Sequence, residues 1–193
     1  MKVSLREIRG PWDVGWVLDK HSLSSVPIGV YPSGRTQFDT KRTDVGEATY
    51  QLKYRTDWNQ VMPLAQAMAD NIYPKLDNVG LILPMPATNV RARQPVTEVA
   101  VALGELVGKP VFTGLLLKAA DGKSLKDLHT KDEKSEAIGD SFSVHDQISN
   151  QGQWNVLIVD DLFHTGASME AACTVLRTYP KIARIYVAAL TWR

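Results

Sequence analysis

Residues 156–168 read Val156-Leu157-Ile158-Val159-Asp160-Asp161-Leu162-Phe163-His164-Thr165-Gly166-Ala167-Ser168. An apolar run enters two adjacent carboxylates, and a short loop then leads into a stretch with helical spacing over 166–178. Residues 154–159 are apolar at every position except Asn155, which is the pattern of a strand buried on both faces. In open α/β sheets ligands lie beyond the carboxyl ends of strands, and a helix start offers unpaired N–H groups to an anion. The segment therefore predicts a phosphate cradle formed by Phe163, His164, Thr165, Gly166, Ala167 and Ser168. Gly166 lets the backbone approach closely, and the Thr165 and Ser168 hydroxyls add donors to the amides. Asp160 and Asp161 accept hydrogen bonds only, which suits the vicinal hydroxyls of a ribose, directly or through a hydrated metal. A ribose 5-phosphate fits this constellation.

Two other readings compete for the same residues. An Asp pair after an apolar strand also opens receiver domains, but that fold needs most of its chain after the pair, and 32 residues follow Asp161. A capped helix without a ligand would leave two adjacent carboxylates at a strand end with no purpose, an arrangement that costs too much to keep.

Working outward, strand and helix patterns alternate from residue 57 onward. Val61, Leu64, Ala65, Met68 and Ile72 recur at helical spacing behind Asp57 as a cap, and residues 79–83 form a short apolar strand. The loop 84–93 follows, then a helix through Val99, Leu103 and Leu106 stopped by Gly108. Strands are expected over 111–117, 142–144, 154–159 and 185–190. Such alternation predicts an α/β fold with a parallel twisted sheet and helices on both faces. Residues 1–50 hold five glycines and three prolines, with a turn at Tyr31-Pro32-Ser33-Gly34 between two extended runs. They read as a small β-rich N-terminal hood, leaving 51–193 as the α/β domain. Residues 118–140, rich in Lys and Asp, read as a long mobile loop.

Lys plus Arg is 22 against 21 for Asp plus Glu, so nothing points to general nucleic-acid or membrane-surface binding. One cysteine, Cys173, excludes an internal disulfide and a multi-cysteine zinc cluster. With no apolar leader and no uninterrupted membrane-length stretch, the expected location is the cytoplasm. Trp12, Trp16 and Trp58 are assigned to packing.

The segment VLIVDDLFHTGAS resembles the 13-residue phosphoribosyl-diphosphate signature of type I phosphoribosyltransferases, at its apolar run, both acidic positions and its Thr-Gly-x-Ser end. The motif LKYR at 52–55, PMP at 84–86, Arg91, Arg93 and the polar loop before Ser141-Phe142 make residues 46–193 similar to the competence-protein F (ComF) branch. The chain lacks that branch's four-cysteine zinc ribbon, and reads Arg93-Gln94-Pro95-Val96 where the branch usually has Arg-Gly-Phe-Asn.

The resemblance implies a phosphoribosyltransferase of nucleotide metabolism that binds 5-phosphoribosyl 1-diphosphate with Mg2+ and transfers ribose 5-phosphate to a nitrogen acceptor. Magnesium would be held mainly by substrate and water, with Asp160 or Asp161 in support. Ala87 and Thr88 would supply amides to the diphosphate, since Pro86 has no N–H. Arg91, Arg93 and Lys53 are candidates for contacts with the leaving group. The 118–140 segment corresponds to a catalytic loop, in which Lys126 and Lys131 are the chosen catalytic residues ahead of Lys123 and His129. The acceptor is not legible, and a homodimer is an open expectation. The alternative function is a catalytically weak or inactive accessory protein that keeps the phosphoribosyl site and acts through protein partners in DNA uptake or recombination.

Overall fold

The computed structural model describes residues 1–87, 89, 91–119 and 142–193. In chain order the strands are β1 (Arg6–Glu7), β2 (Val14–Lys20), β3 (Ser22–Val30), β4 (Thr36–Arg42), β5 (Val79–Pro84), β6 (Leu116–Lys118), β7 (Phe142–Val144), β8 (Trp154–Phe163) and β9 (Ile182–Trp192). The helices are α1 (Asp44–Arg55), α2 (Val61–Asn71), α3 (Pro95–Val107) and α4 (Ala167–Arg177). A five-stranded sheet runs β1-β2-β9-β8-β5, with β2, β9, β8 and β5 mutually parallel and β1 antiparallel at the edge. The expected α/β architecture is therefore present, with helices on both faces.

Side-chain alternation along the central strands builds both faces at once. Val156 and Ile158 of β8 pack into one cluster with Met169, Ala172, Cys173 and Leu176 of α4. Leu157 and Val159 point the other way, into a cluster with Leu52, Leu64, Met68 and Leu103 from α1, α2 and α3. β9 repeats the division, with Ile185, Val187 and Ala189 on the first side and Tyr186, Ala188 and Leu190 on the second. A period of two with both phases apolar is what a strand between two helix layers requires. Leu157 and Ile158 are almost wholly inaccessible, and each such burial contributes about 1.5–3 kcal/mol.

The direction of winding reverses between β5 and β8. From β5 the chain passes through α3 to Val111, which bridges Ile82 in parallel. β8 occupies the opposite edge of β5, and α4 then carries the chain away to β9. A crevice opens at the carboxyl edge of an α/β sheet where the winding reverses. Here the loops after β5 and β8 flank it.

Several boundaries differ from the sequence reading. β8 runs through Phe163, with Asp160 opposite Ala189 and Leu162 opposite Thr191, so the carboxylates lie inside the strand rather than after it. The segment 1–50 is divided: β1 and β2 belong to the central sheet, while β3 and β4 form a separate two-stranded ribbon. Its turn is where Tyr31-Pro32-Ser33-Gly34 placed it, with Gly34 at φ 79° and its N–H donating to Tyr31 O at 2.9 Å. α1 starts at Asp44, inside the segment read as β-rich. Of the strand expected over 111–117, only its end joins β6, which pairs with β7 outside the main sheet. Among the described residues no helix is long and apolar enough to cross a membrane.

Thr43 fixes the start of α1. Its hydroxyl accepts from Gly46 N at 2.9 Å and donates to Lys20 O at 2.5 Å, which joins the helix cap to the end of β2. At Gly46 the helix meets the carbonyl of His21 so closely that a Cβ would overlap it. Gly46→Ala is expected to destabilise the protein by about 1–3 kcal/mol, because neither backbone can yield without losing the Thr43 cap. Urea unfolding with circular dichroism measures it, and a midpoint equal to that of the unaltered chain would contradict the close approach.

Candidate functional site

Two hollows meet at the carboxyl edge of β8. The smaller, of about 110 Å³, is lined by Asp160 and by residues 162–169, which include Phe163, His164, Thr165, Gly166, Ala167 and Ser168. The larger, of about 300 Å³, is lined by Lys53, Met85, Ala87, Arg91, Lys118, Asp160 and Asp161 among others. Asp160 and Ser168 belong to both.

The smaller hollow is a loop wrapped around a helix start. Gly166 is the N-cap of α4 at φ 86°, a left-handed conformation that glycine adopts without penalty. No side chain caps the helix; Thr165 Oγ1 reaches Ala167 N only at 3.5 Å. The first amides of α4 are therefore open to an acceptor from outside the chain, with the helix dipole adding positive potential. A Cβ on Gly166 would stand 3.2 Å from the Phe163 ring and 3.3 Å from a Glu170 carboxylate oxygen. Trp12 braces the other side, its ring edge-on to Phe163 at 6.1 Å and its Nε1 donating to Ile8 O at 3.0 Å. Its assignment to packing agrees with its burial in the core.

The adjacent carboxylates have different surroundings because successive residues of a strand face opposite ways. Asp161 turns toward α1, where Lys53 Nζ lies 2.5 Å from its Oδ2. Asp160 lies on the α4 side and accepts from the Asp161 N–H at 2.8 Å. Burial, and secondarily the Asp161 carboxylate, push the Asp160 pKa up to about 7. The strand is tied down behind them: Thr191 Oγ1 donates to Asp161 O at 2.9 Å and lies 3.2 Å from His21 Nδ1. Burial, then the positive charges of Arg193, Arg42 and Lys53, hold the His21 pKa below the usual histidine value.

Of the cations chosen from sequence, Lys53 and Arg91 line the larger hollow, and Arg91 donates to Lys53 O at 2.9 Å. Arg93 is held elsewhere: its guanidinium is 2.7 Å from Glu98 and stacks at 4.2 Å on the Trp58 ring. Ala87 lines the hollow, whereas Thr88, Lys123, Lys126, His129 and Lys131 lie outside the described residues. Sequence reasoning missed Lys118. The pairing of β6 with β7 sets it opposite Phe142, and both side chains line the hollow. Its position directly after the strand expected over 111–117, as the first residue of the lysine-rich segment, was the available signal. Among the described residues no three His, Cys, Asp or Glu side chains converge as a metal cage.

No protein-family model matches the chain, and no curated protein matches it in sequence. Solved structures do match in fold. Adenine phosphoribosyltransferase from Trypanosoma brucei, determined with AMP, pyrophosphate and ribose-5-phosphate, is 14% identical over 100% of this chain and 76% of its own, with a TM-score of 0.51. Hypoxanthine phosphoribosyltransferase from Staphylococcus aureus is 10% identical over 69% of this chain and 63% of its own, TM-score 0.43. UMP synthase from Leishmania donovani is 13% identical over 85% of this chain, TM-score 0.41, and the chain spans 27% of that protein's length. With the first of these, the adenine phosphoribosyltransferase, the chain shares its α/β fold.

The Asp160 environment sets a pH dependence. In the unfolded chain an aspartate titrates near pH 4, whereas folded Asp160 keeps its proton to about pH 7. Between those values the folded state binds the extra proton, so this group makes stability fall as pH rises. Asp160→Asn is expected to lessen the fall in urea midpoint between pH 5 and pH 7.5. An unchanged slope would remove the assigned environment.

Proposed function

We propose that the protein is a phosphoribosyltransferase that binds 5-phosphoribosyl 1-diphosphate with Mg2+ and transfers ribose 5-phosphate to a nitrogen acceptor. The observation that carries this reading is the junction at Asp160: an uncapped helix start on one side, a hollow with three cationic side chains on the other, and a carboxylate between them. The spacing suits a ligand with a phosphate at each end of a sugar. The small hollow takes the 5-phosphate on the α4 amides and the Thr165 and Ser168 hydroxyls. Lys53, Arg91 and Lys118 face the diphosphate, joined in this proposal by Lys126 and Lys131. Asp160 and Asp161 accept from the ribose hydroxyls.

Breaking the bond from C1 to the diphosphate oxygen leaves positive charge on the sugar ring and negative charge on the leaving group. Fixed carboxylates below the sugar and cations around the diphosphate stabilise that separation. Lys53 changes partner in this scheme, from Asp161 to the diphosphate, which frees the carboxylate for the ribose. Asp160 and Asp161 also fit a magnesium ion, since they are hard oxygen donors and a cation would offset the penalty that raises the Asp160 pKa. When bound, the ion would neutralise part of the diphosphate charge, while these two carboxylates support it.

Titration calorimetry with two ligands separates the hollows. Lys53→Ala is expected to weaken binding of 5-phosphoribosyl 1-diphosphate about ten- to a hundredfold, the effect of one charged hydrogen bond, and to leave ribose 5-phosphate affinity unchanged. Gly166→Val should weaken both ligands strongly, because both share the phosphate end. Equal losses from Lys53→Ala for the two ligands would overturn the assignment.

Turnover is tested by diphosphate release with purines, pyrimidines, amines and water as acceptors. Binding without release by any of them would favour the accessory role over transfer.

A further inference from the structure

We propose that a third hollow, at the carboxyl ends of β2 and β9, is a second ligand site that takes a small phosphate monoester bearing a hydroxyl or amino donor. The hollow has a volume of about 680 Å³, within the range of small-molecule sites, and shares no lining residue with the two hollows at Asp160. Lys20 ends β2 and Trp192 ends β9, and both line it. The stretch before β1, the root of the β3–β4 ribbon and the start of α1 contribute the remaining walls. Its role does not depend on what the hollows at Asp160 bind.

A buried carboxylate sets half of the chemistry. Asp19 lines the hollow and is 9% accessible. Its Oδ1 accepts from the Lys20 N–H at 2.7 Å, its only hydrogen bond among the described residues, and none of the ion pairs formed by those residues includes it. A carboxylate sheltered from water with lone pairs to spare gains from an added donor.

Lys2, Arg6 and Lys20 set the other half. Among the described residues none of the three pairs with a carboxylate. Trp192 holds two of them, with Arg6 Cζ 4.0 Å and Lys20 Nζ 5.0 Å from the centroid of its ring. Lys2 is anchored through its backbone, whose N–H donates to Asp44 Oδ2 at 2.9 Å. Arg42 also lines the hollow but is committed to Glu47 at 3.2 Å and to the Tyr50 ring at 3.7 Å. Three uncommitted cations exceed what one carboxylate would neutralise and match a phosphate monoester, which carries a charge of about −1.5 to −2 near neutral pH. Asp19 beside them repels a bare anion and rewards one with a donor next to its phosphate. A sugar phosphate and a nucleoside 5′-phosphate share this chemistry, and the volume admits either.

Titration calorimetry of the full chain with ribose 5-phosphate and with AMP tests the proposal and separates the two sources. Sulfate offers charge without a donor, and ribose offers donors without charge. At least one ester should show a binding event that Gly166→Val leaves intact and that Lys20→Ala weakens about ten- to a hundredfold, while sulfate and ribose bind there about tenfold more weakly or worse. Lys20 and Arg6 are exposed, so Lys20→Ala and Arg6→Ala should keep the circular dichroism and melting temperature of the unaltered chain. Asp19→Asn should weaken the ester and not sulfate; Arg6→Ala should weaken both and serves if the Asp19 variant does not fold. Absence of any event sensitive to Lys20→Ala or Arg6→Ala overturns the proposal. So does sulfate binding as tightly as the better ester, or a folded Asp19→Asn chain with unchanged ester affinity. A chain that keeps the Lys20-sensitive event but shows none sensitive to Gly166→Val would support this site while removing the phosphate assignment at α4.

Discussion

The structure depends on one constraint: β8 and β9 must bury both of their faces. Two adjacent parallel strands with apolar residues in both phases cannot be satisfied by a single helix layer, so α4 is required on one side and α1, α2 and α3 on the other. Covering both faces leaves only the strand ends open to solvent. Function is thereby pushed to the carboxyl edge, where backbone donors run out and polar side chains take over. The change from Val159 to Asp160 along one continuous strand marks that transition.

The same alternation gives two neighbouring carboxylates two distinct chemistries. Asp161 faces the layer that brings Lys53, and its charge is offset by a cation within contact distance. Asp160 faces the layer whose nearest element is an uncapped helix start, and it bears the cost of burial beside another carboxylate. Their separation in character requires no difference in residue type. It follows from a half-turn of the backbone between consecutive residues.

How much of this was legible depended on whether a feature is local. The strand at 154–159, the helix start at Gly166 and the turn before Gly34 rest on short-range patterns, and each lies where its residues placed it. β2 escaped notice because Gly15, Asp19 and Lys20 interrupt its apolar residues, and its membership in the central sheet depends on pairing with β9, almost the whole chain away. α1 was obscured by a buried face made of small residues, Gly46, Ala48 and Thr49, with Val45 and Leu52 as its only large apolar groups. Arg93 followed its spacing to the right loop but not to the hollow. Glu98, five residues on, and the Trp58 ring compete for its guanidinium, and that competition is tertiary. Lys118 could be read only as one lysine among several, since its place at the hollow is set by the β6–β7 pairing.

The strand that carries both carboxylates also limits how the chain can change its length. Deleting or inserting one residue between Asn155 and Phe163 would rotate everything beyond it to the opposite face, setting Asp160 against Lys53 and turning core residues toward the wrong layer. The β3–β4 ribbon has no such restriction at its tip, where Pro32, Ser33 and Gly34 are exposed and a Cβ at Gly34 would meet open space. Variation in length among any descendants of this chain should therefore accumulate in the ribbon and be absent from β8. The site is protected from drift in register by the same two-sided core that supports it.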